Sequence, residues 1–212
     1  MKKNFAFALL LSLSAFANAQ ENANSKSDSK ISFGVKAGYS LSNMKFFGNQ
    51  IDPKSYFYVG ILGEQPISST FSVQAEILYT QIGGKESYPW VQIVNNNVVE
   101  MDDAEYDHQF NQIQVPVSLK YYFIPKLSAS AGMNFGFNIS DKIKRTDSGD
   151  NVFSTNSNAK TLNLFPFLGA EYKINDKFFV DARYNFNFIK INKGGIETKI
   201  GFLQAGVGYR FK

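Results

Sequence analysis

From Ile31 to Phe211 apolar residues recur at every second position, in eight separate runs. A side-chain period of two belongs to the β-strand. In the first run Ile31, Phe33, Val35, Ala37, Tyr39 and Leu41 share one face, and Ser32, Gly34, Lys36, Gly38, Ser40 and Ser42 the other. The runs Phe71–Tyr79, Ile113–Phe123, Leu127–Phe137, Val180–Phe188 and Leu203–Phe211 repeat the pattern. Two runs read less cleanly, and 56–64 is apolar on both faces. In 56–64, turning Glu64 inward puts Phe57, Val59 and Ile61 outward. In 162–173, Leu162, Leu164, Leu168, Ala170 and Tyr172 face out, leaving Glu171 and Lys173 in. The expectation is an all-β chain, an eight-stranded antiparallel up-and-down β-barrel.

The connections carry a second rhythm. They span about 43–55, 65–70, 82–109, 124–126, 140–160, 175–177 and 189–197, long and short in strict alternation. Pro66, Pro125 and Asn175-Asp176 fall in the short ones, where turn chemistry belongs. Transmembrane barrels are built this way, with short periplasmic turns, longer outer loops and an even strand count.

Alternation alone does not say which face is outside, since a soluble lipocalin is also an eight-stranded barrel with its apolar face inward. Three features favour lipid outside. The apolar face is almost free of charge. Aromatics cluster at its ends: Phe33, Phe71, Tyr121, Phe123, Tyr172, Phe178, Tyr209 and Phe211 at the short-turn end, Tyr39, Tyr79, Phe137 and Phe188 at the other. Such belts sit at membrane interfaces. The polar face carries Lys36, Lys120, Arg183 and Arg210 against Glu64, Glu76, Glu171 and Asp181. A basic residue at the bilayer midplane costs roughly 2–4 kcal/mol, so these charges belong in the lumen, where opposite signs pair. A narrow lumen filled by a balanced charge network is expected to be plugged.

The N-terminus agrees. Lys2 and Lys3, an apolar stretch from Phe5 to Phe16, and Ala17-Asn18-Ala19 form the three parts of a secretory signal peptide, residues 1–19. Residues 20–30 form a polar periplasmic lead-in, and 31–212 the outer-membrane β-barrel domain. The formal net charge of +4 falls to +2 without Lys2 and Lys3, which argues against nucleic acid as a partner. Without cysteine the chain has neither disulfides nor thiolate metal sites.

The end of the last run, Gln204-x-Gly206-x-x-Tyr209-x-Phe211, is similar to the assembly signal that outer-membrane barrels present to the barrel-assembly machinery during biogenesis. Further pieces resemble one family. They are Gly34-Val35-Lys36-Ala37-Gly38, Glu76-Ile77-Leu78-Tyr79 with Gly83-Gly84, Val115-Pro116-Val117-Ser118-Leu119-Lys120-Tyr121, Asp181-Ala182-Arg183-Tyr184 and Gly208-Tyr209-Arg210-Phe211. In this order they resemble the PorT-like, outer membrane protein β-barrel domain family of Bacteroidota, over about residues 31–211. The resemblance implies the cell outer membrane; the family's namesake takes part in type IX secretion and gliding.

The connection 82–109 holds Glu86, Glu100, Asp102, Asp103, Glu105 and Asp107 against Lys85, with His108 at its end and Tyr88, Trp90 and Val91 among them. The carboxylates suit Ca²⁺, but they lack the order of an EF-hand, and a solvated acidic loop is the plainer reading. His108 is the only histidine; Asp107, Asp103 or Glu105 would orient it in a rim enzyme. No Gly-x-Ser-x-Gly elbow accompanies it. The sequence therefore points to a non-enzymatic barrel of structural or interaction type, an accessory of secretion or of the cell surface. Its expected contacts are outer-membrane lipid and a protein partner at the outer loops or periplasmic rim. No catalytic, metal or cofactor site is expected. The alternative is a small-solute porin or transport barrel.

Overall fold

The structure, a computed structural model, describes residues 30–46, 49–94, 97–145, 152–154, 160–191, 193 and 198–211. The signal peptide 1–19 and nearly all of the lead-in 20–30 lie outside them. The strands are β1 (Ser32–Phe46), β2 (Asn49–Gln50), β3 (Asp52–Pro66), β4 (Phe71–Val94), β5 (Asn97–Ile124), β6 (Leu127–Arg145), β7 (Val152–Ser154), β8 (Leu162–Lys173), β9 (Phe178–Asn185) and β10 (Thr198–Arg210). Eight of them form the wall in the order β1, β3, β4, β5, β6, β8, β9, β10. β10 pairs back onto β1, so the wall has no edge. β2 and β7 are short additions on β1 and β6.

Every neighbouring pair in the wall is antiparallel. Stepping from Ser32 across its partners Glu64, Gln74, Ser118, Gly132, Phe167, Asn185 and Phe202 leads back to β1 at Ser42, a shear of ten residues. For eight strands this sets the tilt at the steep end of the ~35–45° range of membrane barrels. Between β4 and β5 the ladder lapses where Glu76 and Ile77 lie across from Val115 and Pro116. Pro116 has no N–H to donate there.

The alternation has the sense expected. Phe57, Val59 and Ile61 are exposed, Phe57 at 70%, as are Leu162, Leu168 and Tyr172. Aromatic contacts form at both ends of this outer face. Phe71 and Tyr121 lie 5.1 Å apart, Tyr121 and Phe123 5.0 Å, and Phe178 and Tyr209 5.1 Å at the short-turn end. Tyr39 and Phe57 lie 4.4 Å apart toward the other. The short turns are tied by their own side chains: Asn175 Oδ1 accepts from the N–H groups of Lys177 (2.9 Å) and Phe178 (2.8 Å).

Several of the long connections are shorter than the sequence suggests, and β6 runs on to Arg145 in the expected connection 140–160. The span 82–109 is not a loop: β4 and β5 continue through it as one hairpin, paired as far as Val94 with Asn97. Tyr88, Val91, Ile93, Val98 and Val99 supply the β-favouring residues that keep this arm extended. Likewise β1 and β3 enter the expected connection 43–55, meeting it at Phe46 and Asp52.

Candidate functional site in the lumen and the outer hairpin

Four alternate strands of the wall, β3, β5, β8 and β10, each contribute one member to a charged ring in the lumen near the short turns, and Lys173 of β8 lies beside it over the Tyr122 ring at 4.2 Å. Lys120 Nζ lies 3.0 Å from Glu64 and 2.9 Å from Glu171; Arg210 Nη2 lies 2.7 Å from each. Acid and base alternate around this ring, so each base touches both acids. Ser72 Oγ donates to Glu64 at 2.6 Å, and the Tyr122 hydroxyl donates to the same carboxylate. Lys120 is only 2% exposed, a burial that is tolerable because its charge is paired and hydrogen-bonded.

A second ring repeats the arithmetic. Lys36 Nζ lies 2.5 Å from Asp181 and 3.5 Å from Glu76, and Arg183 Nη2 lies 2.6 Å from Glu76 and 3.5 Å from Asp181. Gln74 joins the two rings: its Oε1 accepts from Lys120 at 3.0 Å, and its Nε2 donates to Glu76 at 2.6 Å. All eight lumen charges expected from sequence are thus brought together, as two neutral quartets. Aromatic faces back the cations, with Arg183 over Phe167 at 5.2 Å and Arg210 over Phe179 at 4.7 Å. A cavity of about 20 Å³ opens between the rings, room for roughly one water.

Farther from the short turns the lining changes from charge to amide. Gln114 Oε1 accepts from Asn134 (3.1 Å) and Gln204 (3.3 Å), and its Nε2 donates to Gln112 at 3.0 Å. Asn134 and Gln204 both meet Asn185. Beyond the amides lies an apolar cap of Met44, Ile51, Ile82, Phe110, Phe165, Ile191, Ile200 and Phe202. The Phe165 and Phe202 rings meet edge to face at 5.1 Å. Sequence reading missed this cap. The signal was present, because Phe165 alternates with the outward residues of its strand.

The C-terminal motif divides between the two faces. Gln204 belongs to the amide layer, and Gly206 lies where a Cβ would fall 2.2 Å from the Tyr58 hydroxyl. Tyr209 contacts both Phe178 and Phe211 in the outer aromatic belt.

At the base of the hairpin the structure regroups the expected partners of His108. Asp107 pairs with Lys54, Glu105 with Lys85 at 2.7 Å, and Asp103 is exposed. The carboxylate facing His108 is Glu86, with Nε2 at 3.2 Å from Oε2. The reason is register: Gly84 pairs with His108, which sets Glu86 one step along the same face. Tyr88 donates its hydroxyl to the other Glu86 oxygen. Burial and the neighbouring Glu86 push the Tyr88 phenol up to about 12. The acidic residues are therefore strung along two strands, three of them facing different donors. The side chains of Trp90 and Asp102 lie outside the described residues.

Residues 18–193 match the protein family described as outer membrane protein beta-barrel domain. The chain belongs to that family. This outer membrane barrel has the fold of Ail, the attachment invasion locus protein of Yersinia pestis, solved in complex with the heparin analogue sucrose octasulfate. The TM-score is 0.53 at 16% identity, covering 86% of this chain and 99% of Ail. It has the fold of Neisserial surface protein A as well, with a TM-score of 0.54 at 17% identity over 86% and 99% of the two chains. No curated protein matches its sequence. The protein resides in the outer membrane, with its exposed apolar face against lipid. By the rule for such barrels the short turns face the periplasm and the β4–β5 hairpin the exterior.

Proposed function

We propose that this outer membrane barrel is a non-enzymatic interaction protein with a plugged lumen, meeting a protein partner through its outer loops. One observation carries the reading: two neutral charge quartets, an amide layer and an apolar cap stand in series across the lumen. The hairpin rising past the wall supplies surface for a partner. The heparin analogue bound to Ail is a polyanion, whereas the acidic hairpin here favours the opposite charge. The PorT-like resemblance supports a place as an accessory of secretion or of the cell surface. The C-terminal strand, with Tyr209 and Phe211 outward, suits recognition by the barrel-assembly machinery.

The test is planar-bilayer recording of the purified barrel alongside affinity capture from cells. No steady conductance together with a stoichiometric protein partner supports the proposal. A large, stable channel without a partner overturns it in favour of the porin reading.

A further inference from the structure

The charged ring nearest the short turns is neutral, yet a fifth lumen cation stands on its periplasmic side. Lys173 follows Glu171 inward on β8, and its ammonium lies 4.2 Å from the centre of the Tyr122 ring. Lys120 lies over the same ring at 5.4 Å. Lys36, Lys120, Arg183 and Arg210 each meet two carboxylates. Lys173 forms no ion pair among the described residues. The charges of Glu64 and Glu171 reach it, but each is already shared between Lys120 and Arg210. The mouth thus keeps one positive charge that no described side chain neutralises.

A second group there is unsatisfied. β6 runs between β5 and β8, and Ser128 pairs with Tyr122 on one side and Glu171 on the other. An ammonium that starts on β8 and ends over a β5 ring therefore crosses the Ser128 position. Ser128 is 1% exposed, and its hydroxyl has no hydrogen-bond partner among the described residues. Leaving a buried hydroxyl unpaired is costly. A hydroxyl donor beneath an unmatched ammonium suits the oxygen of an anion.

We propose that the periplasmic mouth of the barrel binds the carboxylate of a periplasmic peptide, with Lys173 supplying the charge and Ser128 a hydrogen bond. The lumen of an eight-stranded barrel is just wide enough for side chains, so an extended chain end enters where a folded surface cannot. Lipid headgroups are kept out, because the closed wall separates the lumen from the bilayer. A phosphate dianion would press a second negative charge on Glu64 and Glu171, whereas one carboxylate balances one ammonium. The site lies across the membrane from the β4–β5 hairpin, so it stands or falls independently of the outer partner proposed above.

The experiment uses the purified barrel in detergent micelles, with tri-alanine and its C-terminal amide as probes. Binding is followed by the NMR shifts of the Tyr122 ring. Saturable shifts are expected with the acid and none with the amide. Lys173→Gln should weaken tri-alanine binding by at least about tenfold, Lys173→Arg should retain it, and Ser128→Ala should weaken it about fivefold. Lys126 and Lys177 are exposed on the turns. Replacing both by Gln should change binding by no more than about twofold, which separates the site from general attraction to a basic rim. Equal binding of acid and amide, no binding of either, or a Lys173→Gln barrel that binds like wild type overturns the proposal. Tighter binding of methyl phosphate than of tri-alanine does so too. If tri-alanine binds only after Glu21→Gln and Asp28→Asn, the chain's own lead-in occupies the mouth and the peptide proposal falls.

Discussion

Arg183 donates to Glu76 at 2.6 Å from the opposite side of the barrel, with three strands between β9 and β4 in either direction. The contact ties together parts of the chain 107 positions apart. Replacing Arg183 with Met leaves Glu76 and Asp181 sharing Lys36 alone, deep in the lumen. Breaking a buried pair this way costs ~3–5 kcal/mol, while removing both partners is often close to neutral. Arg183→Met should therefore unfold at clearly lower denaturant in micelles, and Arg183→Met with Glu76→Gln should recover most of the loss. Equal destabilisation in the single and double variants would refute the coupling.

Phe179 lies over Gly208 so closely that a Cβ there would fall 2.0 Å from the ring tip, and all three nearest atoms belong to that ring. Gly208→Ala is expected to cost about 1–3 kcal/mol by overpacking. Because the obstacle is one side chain, Phe179→Leu should suppress much of the defect, although it removes the ring beneath Arg210. Thermal unfolding of the folded species, followed by gel mobility, checks both variants.

Much of this was legible because a barrel wall has one rule. Within each strand the apolar face points outward, and parity then turns the four acids and four bases of the quartets toward the lumen. Parity does not give height or azimuth, so the division into two quartets appeared only with the shear of the wall. The same limit hid Glu86 as the partner of His108, since cross-strand neighbours depend on register. Phe165, Phe202, Ile82 and Ile200 were hidden differently. Attention to aromatic and aliphatic residues as lipid contacts obscured those alternating in the opposite sense. The hairpin is hidden in the sequence because the polar and acidic residues of the span outweigh Tyr88, Val91, Ile93, Val98 and Val99.

The Tyr88 phenol gives the hairpin base an alkaline limit. Its proton is held to about 12, above the ordinary value of 10.0, by burial and by donation to Glu86. A raised folded pKa favours the protonated state, so the stabilisation is complete below pH 10 and disappears as pH rises through 12. The phenolate absorbance of wild type minus that of Tyr88→Phe should titrate with a midpoint near 12. A midpoint at the ordinary tyrosine value would contradict the contact.

On the plugged reading proposed above, the layers of the lumen act in series, and that gives the proposal its sharpest consequence. An apolar constriction excludes ions by dewetting, and a charge-paired ring excludes them by leaving no room. Opening one layer should leave the others closed. A variant with Phe165→Ser and Phe202→Ser breaches the apolar cap yet keeps the amides and both quartets. It should remain silent in planar bilayers once its folded gel mobility is confirmed. Replacing Glu64, Lys120, Glu171 and Arg210 together by Ser removes the lower quartet at no net charge and should also be silent, because the upper quartet and the cap remain. Steady conductance from either variant would show that one layer alone closes the barrel, and the serial seal would be wrong.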